Sequence, residues 1–218
     1  MMTRREAIRT GVFAGIGLAA LPGAMAQTNS AASLAVTSGD AALAAQILAD
    51  QTLAKVHHMA QNLLTAGLNA GGGYSQVWAR DTNTFIEVAL EVNPPQRFRD
   101  ALLNFCKLQG PKGDIVDGYV PLNPARVKTA YRTSPLAPSL MAFKNSVESD
   151  QESSMVQAIY KYVSVTGDKS ILDETIAGIT VRERIAQALN YMLTVRFDKK
   201  HGLVWGGTRA LLGPRDCR

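Results

Sequence analysis

The sequence predicts an all-α fold built from helical hairpins. Apolar residues recur at three- and four-residue spacing in successive segments, which is the period of a helix with one buried face. Glycine or proline stands between the segments, where it would end one helix and let the chain turn into the next. The predicted helices cover residues 40–66, 81–92, 96–109 and 180–196, together with a helix of about four turns that ends before Gly167.

Residues 1–26 have the composition of an export signal. Arg4 and Arg5 precede an apolar run over residues 11–21, and Ala24-Met25-Ala26 would be a small-residue cleavage site. The paired arginines predict the twin-arginine translocase as a partner, and hence a periplasmic or secreted protein. A membrane anchor is the alternative, but the run is shorter than the about 20 apolar residues that span a bilayer, so no stable anchor is expected.

The chain after the signal is predicted to consist of a flexible leader over residues 27–39, one domain over residues 40–208 and an aperiodic tail over residues 209–218. The formal charge of the whole chain is +5, and loss of the three arginines and one glutamate of the signal lowers it to +3. The chain has no run of basic residues interleaved with aromatic ones, so no nucleic-acid partner is expected.

No cofactor and no metal are expected from the sequence. Cys106 and Cys217 are far apart and lack the spacing of metal ligands. His57 and His58 are adjacent within the first predicted helix, so their side chains point about 100° apart and do not readily share one ion. The chain also contains no phosphate loop, dinucleotide fingerprint, zinc signature or nucleophile elbow.

Residues 71–91 join three glycines to the start of a helix and form the first candidate site. Asp81 stands at the expected N-cap, which places Arg80 and Asp81 at the N-terminal end of a packed helix. The alternative is that Asp81 only caps the helix and Arg80 only pairs with it. Tyr74 and Trp78 favour a binding site, because aromatic faces pack against the C–H groups of a sugar.

Asn93-Pro94-Pro95 ends that helix, and the next one carries Cys106 on its buried side. Residues 110–138 are rich in glycine and proline and have no helical period, so they are predicted to be a long loop with a short extended piece. A loop of this length in a compact domain is usually functional or disordered. Tyr119, within it, is therefore a candidate substrate-binding residue.

The second candidate site is the acidic start of the four-turn helix, where Glu148, Asp150 and Glu152 cluster. The helix dipole favours carboxylates at this position. The alternative is a simple cap formed by Ser149 or Asp150. Two acidic helix starts that both follow long loops favour one shared site at the rim of a helical barrel.

The last predicted helix leads into a tight turn over residues 198–207. In this turn His201 is expected to be a turn residue, and Trp205 is a candidate for the wall of a pocket. The inward side chains of the helix are expected to be Ile185, Leu189, Met192 and Leu193.

The two candidate sites together resemble motifs of the six-hairpin (α/α) toroid glycosidases, nearest to the exo-α-1,6-mannosidase and glycogen-debranching-like families. The segment Val77-Trp78-Ala79-Arg80-Asp81-Thr82 is similar to their Trp-x-Arg-Asp loop. Glu148-Ser149-Asp150-Gln151, followed by Thr166-Gly167-Asp168, is similar to their Glu-x-Asp helix and Thr-Gly-Asp turn. The resemblance covers about residues 40–208, and it implies a partial (α/α)6 toroid.

The resemblance implies an exported glycoside hydrolase that acts on α-linked glycans with inversion. Asp150 would be the general acid, with Glu152 as the alternative, and Arg80 and Asp81 would hold hydroxyls of the terminal sugar. An inverting enzyme also needs a second carboxylate, roughly 6.5–9.5 Å from the acid, to activate water.

In the resembling families that second carboxylate is a glutamate of the C-terminal half of the toroid. This chain supplies roughly half of the helices that a closed ring of hairpins needs. The resemblance therefore implies a truncated member that lacks the general base, so whether the chain is an active enzyme stays open. The alternatives are a non-catalytic exported helical module that binds glycans or a protein, and a chain that does not fold alone.

Overall fold

The structure, a computed structural model, describes residues 38–68, 75–145 and 147–207. The chain divides into two compact units, Met1–Gln46 and Ile47–Arg218. Of the first unit only residues 38–46 are described, and they are helical. The predicted export signal, most of the predicted leader and the predicted tail lie outside the described residues.

The prediction of an all-α fold is wrong, and the partial (α/α)6 toroid of helical hairpins is corrected with it. Helices make up 57% of the described residues and strands 15%. The strands form a four-stranded antiparallel sheet and two short hairpins. The second unit is therefore a mixed structure in which helices and an antiparallel sheet share one core.

Six α-helices and two 3-10 helices are present in the described part of the chain. The α-helices are α1 Ser38–Ala49, α2 Gln51–Leu64, α3 Ala79–Val92, α4 Pro95–Lys107, α5 Gln151–Thr166 and α6 Val181–Thr194. The 3-10 helices are Pro124–Thr129 and Lys169–Asp173.

Short polar side chains and one glycine determine several helix ends. The predicted helix over residues 40–66 is two helices, because the side chain of Asp50 accepts the backbone N–H of Thr52 at 2.7 Å and starts α2 there. Thr180 and Glu183 form a reciprocal capping box at the start of α6. Helix α5 ends as predicted at Gly167, whose φ of 76° is a left-handed conformation that favours glycine.

The four-stranded sheet occupies the segment that was predicted to be a long loop. Its strands are β1 Val77–Trp78, β2 Gly118–Pro121, β3 Arg132–Ser134 and β4 Ala137–Phe143, in the order β1-β2-β4-β3. Every neighbouring pair is antiparallel. The two hairpins are β5 Thr175–Ile176 with β6 Ile179–Thr180, and β7 Phe197–Asp198 with β8 Leu203–Val204.

The sheet was not predicted because its strands are short and two of them contain proline. Pro121 ends β2 and Pro138 lies in β4, and a proline in a run argues against a strand when the sequence is the only guide. What stabilises such strands is pairing with partners distant in sequence, such as Trp78 opposite Gly118. A local pattern does not contain that information.

The core of the second unit lies where α3, α4 and α5 pack together, with the sheet against it. Helix α3 packs most extensively on α5. Fully or almost fully buried side chains from the three helices fill this space: Ile86, Phe98, Leu102, Phe105, Ile159 and Tyr162. Each large apolar side chain buried in this way contributes about 1.5–3 kcal/mol. Cys106 is buried here, as predicted, and its thiol is free.

The buried face of α6 differs from the predicted one. Val181, Arg184 and Ala188 are buried, whereas Leu189 and Leu193 are 41% and 61% exposed. Arg184 can be buried because its guanidinium donates to the carbonyl of Ile176 at 2.7 Å. None of the helices in the described ranges is long and apolar enough to cross a membrane.

Candidate functional site

The junction between β1 and α3 positions the first half of the site. Trp78 is the last residue of β1 and the N-cap of α3, so the helix begins where this edge strand ends. The backbone N–H of Ala79 donates to the carbonyl of Asp117 at 2.8 Å. Because Trp78 also pairs with Gly118, the residue Asp117 lies beside the start of α3 although it is far away in sequence.

Gly118 allows the indole of Trp78 to lie close to the sheet. A Cβ at this position would be 2.8 Å from the carbonyl oxygen of Val77 and 2.9 Å from the Trp78 ring. Only a residue without a side chain permits this approach. The position of the Trp78 indole thus depends on Gly118, which belongs to the neighbouring strand β2.

Arg80, in the first turn of α3, joins the two candidate sites of the sequence. Its Nη2 lies 2.7 Å from Oε2 of Glu148, and its Nε lies 2.8 Å from Oδ2 of Asp150. These contacts raise the pKa of Arg80, with the hydrogen bond to Glu148 as the largest cause. One guanidinium therefore holds two carboxylates at the start of α5.

The backbone around Glu148 is fixed by contacts with three other residues. Oδ1 of Asn145 accepts the N–H groups of Val147 at 3.0 Å and of Glu148 at 2.9 Å. Arg196 donates to the carbonyl of Glu148 at 3.1 Å. Gly206 lies so close to Val147 that a Cβ there would be 2.2 Å from its carbonyl oxygen. The segment that carries Glu148 is thus held by Asn145, which precedes it in sequence, and by Arg196 and Gly206, which follow it.

A cavity of about 320 Å³ opens between these elements. This volume is at the lower end of the range of small-molecule sites. One aromatic ring, one cation, three carboxyl groups and two amides line it: Trp78, Arg80, Asp81, Asp117, Asn145, Glu148 and Gln151. Because carboxyl groups outnumber the cation, the cavity disfavours anionic ligands such as phosphate.

Asp117 is the most unusual of these groups. The residue is 5% exposed, and its Oδ2 accepts the backbone N–H of Asn145. Oδ1 has no hydrogen-bond partner among the described residues. The pKa of Asp117 is raised from 3.8 to about 7. Burial is the largest cause, Glu148 and Glu152 act in the same direction, and the Asn145 N–H and Lys144 oppose the shift.

Two other residues of the cavity each share one property with Asp117: Asp81 has a raised pKa, and Gln151 has a buried oxygen without a hydrogen-bond partner among the described residues. Burial raises the pKa of Asp81, against the opposing effect of Arg80. Asp81 lies in the first turn of α3 and does not cap the helix, because the N-cap is Trp78 and no side chain caps this end. Gln151 is 2% exposed, and its Oε1 has no partner in the part of the chain that the structure describes.

This arrangement is suited to a polar ligand that is neutral overall. An indole face packs against C–H groups, while the carboxylates, the amides and Arg80 bind hydroxyls. A carboxyl group that titrates near neutral pH can also give or take a proton at the pH of most cells. Oδ1 of Asp117 and Oε1 of Gln151 are buried and have no hydrogen-bond partner among the described residues.

The structure places the two predicted catalytic residues differently. Asp150 is close to the cavity but is not among its described lining residues, and Arg80 contacts both of its oxygens. Glu152 is 2% exposed, lies 3.0 Å from Nζ of Lys144 and accepts the backbone N–H of Ile115 at 3.0 Å. Glu152 therefore joins α5 to the sheet region through a buried ion pair.

Of the predicted substrate-binding residues, Trp78, Arg80 and Asp81 come together at the cavity. Tyr119 is 5% exposed and packs edge-on against Phe105, with ring centroids 5.0 Å apart. The ring of Trp205 packs against the guanidinium of Arg196 at 4.8 Å and is not among the described residues that line the cavity. Tyr74 lies outside the described residues.

The sequence did not indicate Asp117 or Asn145 as site residues, and Glu148 and Gln151 were named only in the acidic helix start and in the motif around Asp150. Asp117 precedes a glycine in a segment without helical period, which is a common pattern in turns. Its importance arises from the pairing of β1 with β2, which no local signal shows.

Within residues 38–68, 75–145 and 147–207 no group of three or more histidine, cysteine or acidic side chains is placed to hold a metal ion. Comparison of the chain with protein-family models, with curated proteins and with solved structures gave no match in any of the three.

Proposed function

We propose that the chain is an exported glycoside hydrolase-like protein, and that it binds an α-linked glycan in the cavity between α3, β2 and the start of α5. The observation that carries the proposal is the composition of this cavity, in which an indole lies beside Arg80 and three carboxyl groups. Sugars combine apolar ring faces with many hydroxyls, and such a lining matches both.

In this proposal Trp78 packs against a sugar ring, while Arg80, Asp81 and Glu148 bind hydroxyls. Asp150 has a supporting role, because it orients Arg80 through contacts at 2.8 and 3.2 Å. Export rests on the pattern of residues 1–26 and on the twin-arginine translocase as the partner. Hydrolysis rests on the resemblance of the two motifs and on the presence of several carboxyl groups in one cavity.

A non-catalytic glycan-binding module is the second candidate. Arg80 is engaged with both Glu148 and Asp150, so two of the acidic groups near the cavity are already paired with a cation. An arrangement of this kind recognises hydroxyls without needing a free catalytic pair.

The test uses the two tryptophans as a matched pair. Binding of methyl α-D-mannopyranoside and methyl α-D-glucopyranoside is measured by calorimetry for the wild type, Trp78→Ala and Trp205→Ala. Binding that is lost in Trp78→Ala but kept in Trp205→Ala supports the cavity as the site. Equal loss in both variants, or no binding by the wild type, contradicts it.

Hydrolysis is measured separately, with 4-nitrophenyl α-D-mannopyranoside and 4-nitrophenyl α-D-glucopyranoside. Release of nitrophenol that requires Trp78 supports the hydrolase. Binding without any release supports the module instead.

A further inference from the structure

We propose that Asp117 is the proton donor to the leaving oxygen of the bound glycoside. The inference rests on the proposed function, since a proton donor of this kind needs a glycoside in the cavity. It assigns the general-acid role to a residue of the β1–β2 junction, whereas the sequence motifs place it at the start of α5.

Three geometric observations carry the inference. Asp117 lines the cavity and is 5% exposed, so its carboxyl group is largely withdrawn from water. Its Oδ2 is fixed by the N–H of Asn145, and its carbonyl is fixed by the N–H of Ala79 at 2.8 Å. Oδ1 is itself buried and has no hydrogen-bond partner among the described residues, so this side of the carboxyl group has no fixed partner within the described part of the protein.

The electrostatic environment of Asp117 agrees with this geometry. Burial raises its pKa to about 7, and the charges of Glu148 and Glu152 act in the same direction. Lys144 opposes the shift, but its Nζ is already 3.0 Å from Oε1 of Glu152. A carboxyl group with a pKa near neutrality keeps its proton until it is needed, which is the requirement for a general acid.

The two residues suggested by the sequence are less suited to the same role. Both oxygens of Asp150 face the guanidinium of Arg80, at 2.8 and 3.2 Å. Glu152 is bound to Lys144 and to the backbone N–H of Ile115, and it is not among the described groups that line the cavity. Among the described carboxyl groups that line the cavity, Asp117 combines burial with an oxygen that has no hydrogen-bond partner.

The step balances with water as the second reactant. The bond between the anomeric carbon and the leaving oxygen breaks, its electron pair stays on the oxygen, and that oxygen takes the proton from the carboxyl group of Asp117. Water adds to the anomeric carbon and loses a proton to Asp81 or Glu148, the other carboxylates of the cavity. Asp117 then regains a proton from solvent, and the carboxyl group that acted as the base releases its proton to solvent.

The experiment compares two substrates that differ only in the leaving group. Methyl α-D-mannopyranoside releases an alkoxide that must be protonated, whereas 4-nitrophenyl α-D-mannopyranoside releases a stable phenolate. Asp117→Asn is expected to lower kcat/KM for the methyl glycoside by about 10²–10⁴-fold and for the nitrophenyl glycoside by less than about tenfold. The glucosides are tested in the same way.

Asp114→Asn is the matched control. Asp114 is also 5% exposed and lies three residues earlier, but it pairs with Arg132 at 2.8 Å and is not among the described lining residues. This variant is expected to melt at a lower temperature without changing the ratio of the two rates.

The pH profile of the wild type provides a second measurement in case Asp117→Asn does not fold. For the methyl glycoside kcat/KM is expected to fall above pH of about 7, while the nitrophenyl glycoside lacks this limb. The groups that influence this titration are Lys144, Glu148 and Glu152. Arg80 and Asp81 share the cavity with Asp117.

The outcomes separate the inference from the proposed function. The role of Asp117 is overturned, and the proposed function is not, if Asp150→Asn rather than Asp117→Asn lowers kcat/KM more for the methyl glycoside than for the nitrophenyl glycoside. The same conclusion follows if Asp117→Asn lowers kcat/KM equally for both substrates. A wild type that hydrolyses none of these glycosides overturns the proposed hydrolase, and the proton donor with it.

Discussion

Arg80 and Asp150 form a two-point ion pair across 70 residues of sequence, with Nε 2.8 Å from Oδ2 and Nη2 3.2 Å from Oδ1. The same guanidinium reaches Glu148 at 2.7 Å. The start of α3 and the start of α5 are therefore joined by one side chain, and that side chain also lines the cavity.

Replacement of Arg80 is expected to affect ligand binding more than stability. The side chains of Arg80, Glu148 and Asp150 are 48%, 37% and 46% exposed, and ion pairs at such exposure contribute less than about 1 kcal/mol. Arg80→Ala should change the free energy of unfolding in urea by no more than this and abolish sugar binding. Arg80→Lys, which keeps the charge but not the two-point contact, should bind weakly. Full binding by Arg80→Lys would show that the planar contact is unimportant.

Replacement of a residue in the buried pair of Lys144 and Glu152 is expected to lower stability strongly, in contrast to replacement of Arg80. The two side chains are 6% and 2% exposed, and Lys144 also donates to the carbonyl of Ile115. Lys144→Ala leaves the Glu152 carboxylate buried without its cation, which should lower the free energy of unfolding by about 3–5 kcal/mol.

The double variant Lys144→Met with Glu152→Leu is the control for that prediction. It removes both charges, so it should recover most of the loss, as urea denaturation can measure. A double variant that is less stable than Lys144→Ala would contradict this explanation.

The stability of the protein is expected to fall between pH 4 and pH 7 because of Asp117. Its pKa rises from 3.8 to about 7 on folding, so within this range the folded state binds more protons than the unfolded state. The free energy of unfolding then decreases as pH rises, by a few kcal/mol in total at about 1.4 kcal/mol per unit of pKa. Asp117→Asn should reduce this slope, and identical slopes in wild type and variant would contradict the shift.

A side chain at position 118 is expected to displace the Trp78 indole, which lines the cavity. In Gly118→Ala the new Cβ would meet the carbonyl of Val77 at 2.8 Å and the Trp78 ring at 2.9 Å. The variant should be less stable, and the emission of Trp78 should change in a Trp205→Phe background.

Gly167→Ala is the control for position 118. Its φ is also unfavourable for alanine, at 76°, but nothing lies within 4 Å of the new Cβ. It should lose about 1 kcal/mol while the emission of Trp78 stays the same. Unchanged emission in Gly118→Ala would show that the indole does not depend on this glycine.

Local sequence signals predicted most of the helices and half of the cavity. The start of α4 follows from Pro94 and Pro95, and the end of α5 follows from Gly167, because both residue types act within a few positions. Trp78, Arg80 and Asp81 could be grouped because they belong to one continuous stretch.

The remainder depends on contacts between distant parts of the chain. Asp117 joins Trp78 only through the pairing of β1 with β2, and the strands involved are too short to show a period of two. The buried face of α6 was mispredicted for a related reason. Arg184 is buried because Gln109 and Ile176 supply hydrogen-bond partners, and hydrophobicity alone would place it in solvent.

Arg196 and Gly206, which contact the backbone of Glu148 and Val147, leave the ribosome after the residues of α3 and α5. A nascent chain whose residue 206 is still inside the ribosome can already form α3 and α5, because their residues have emerged. It has not yet acquired the support that holds Glu148 in place. The cavity is therefore completed by some of the last described residues to leave the ribosome, and helix content will rise before the site becomes able to bind.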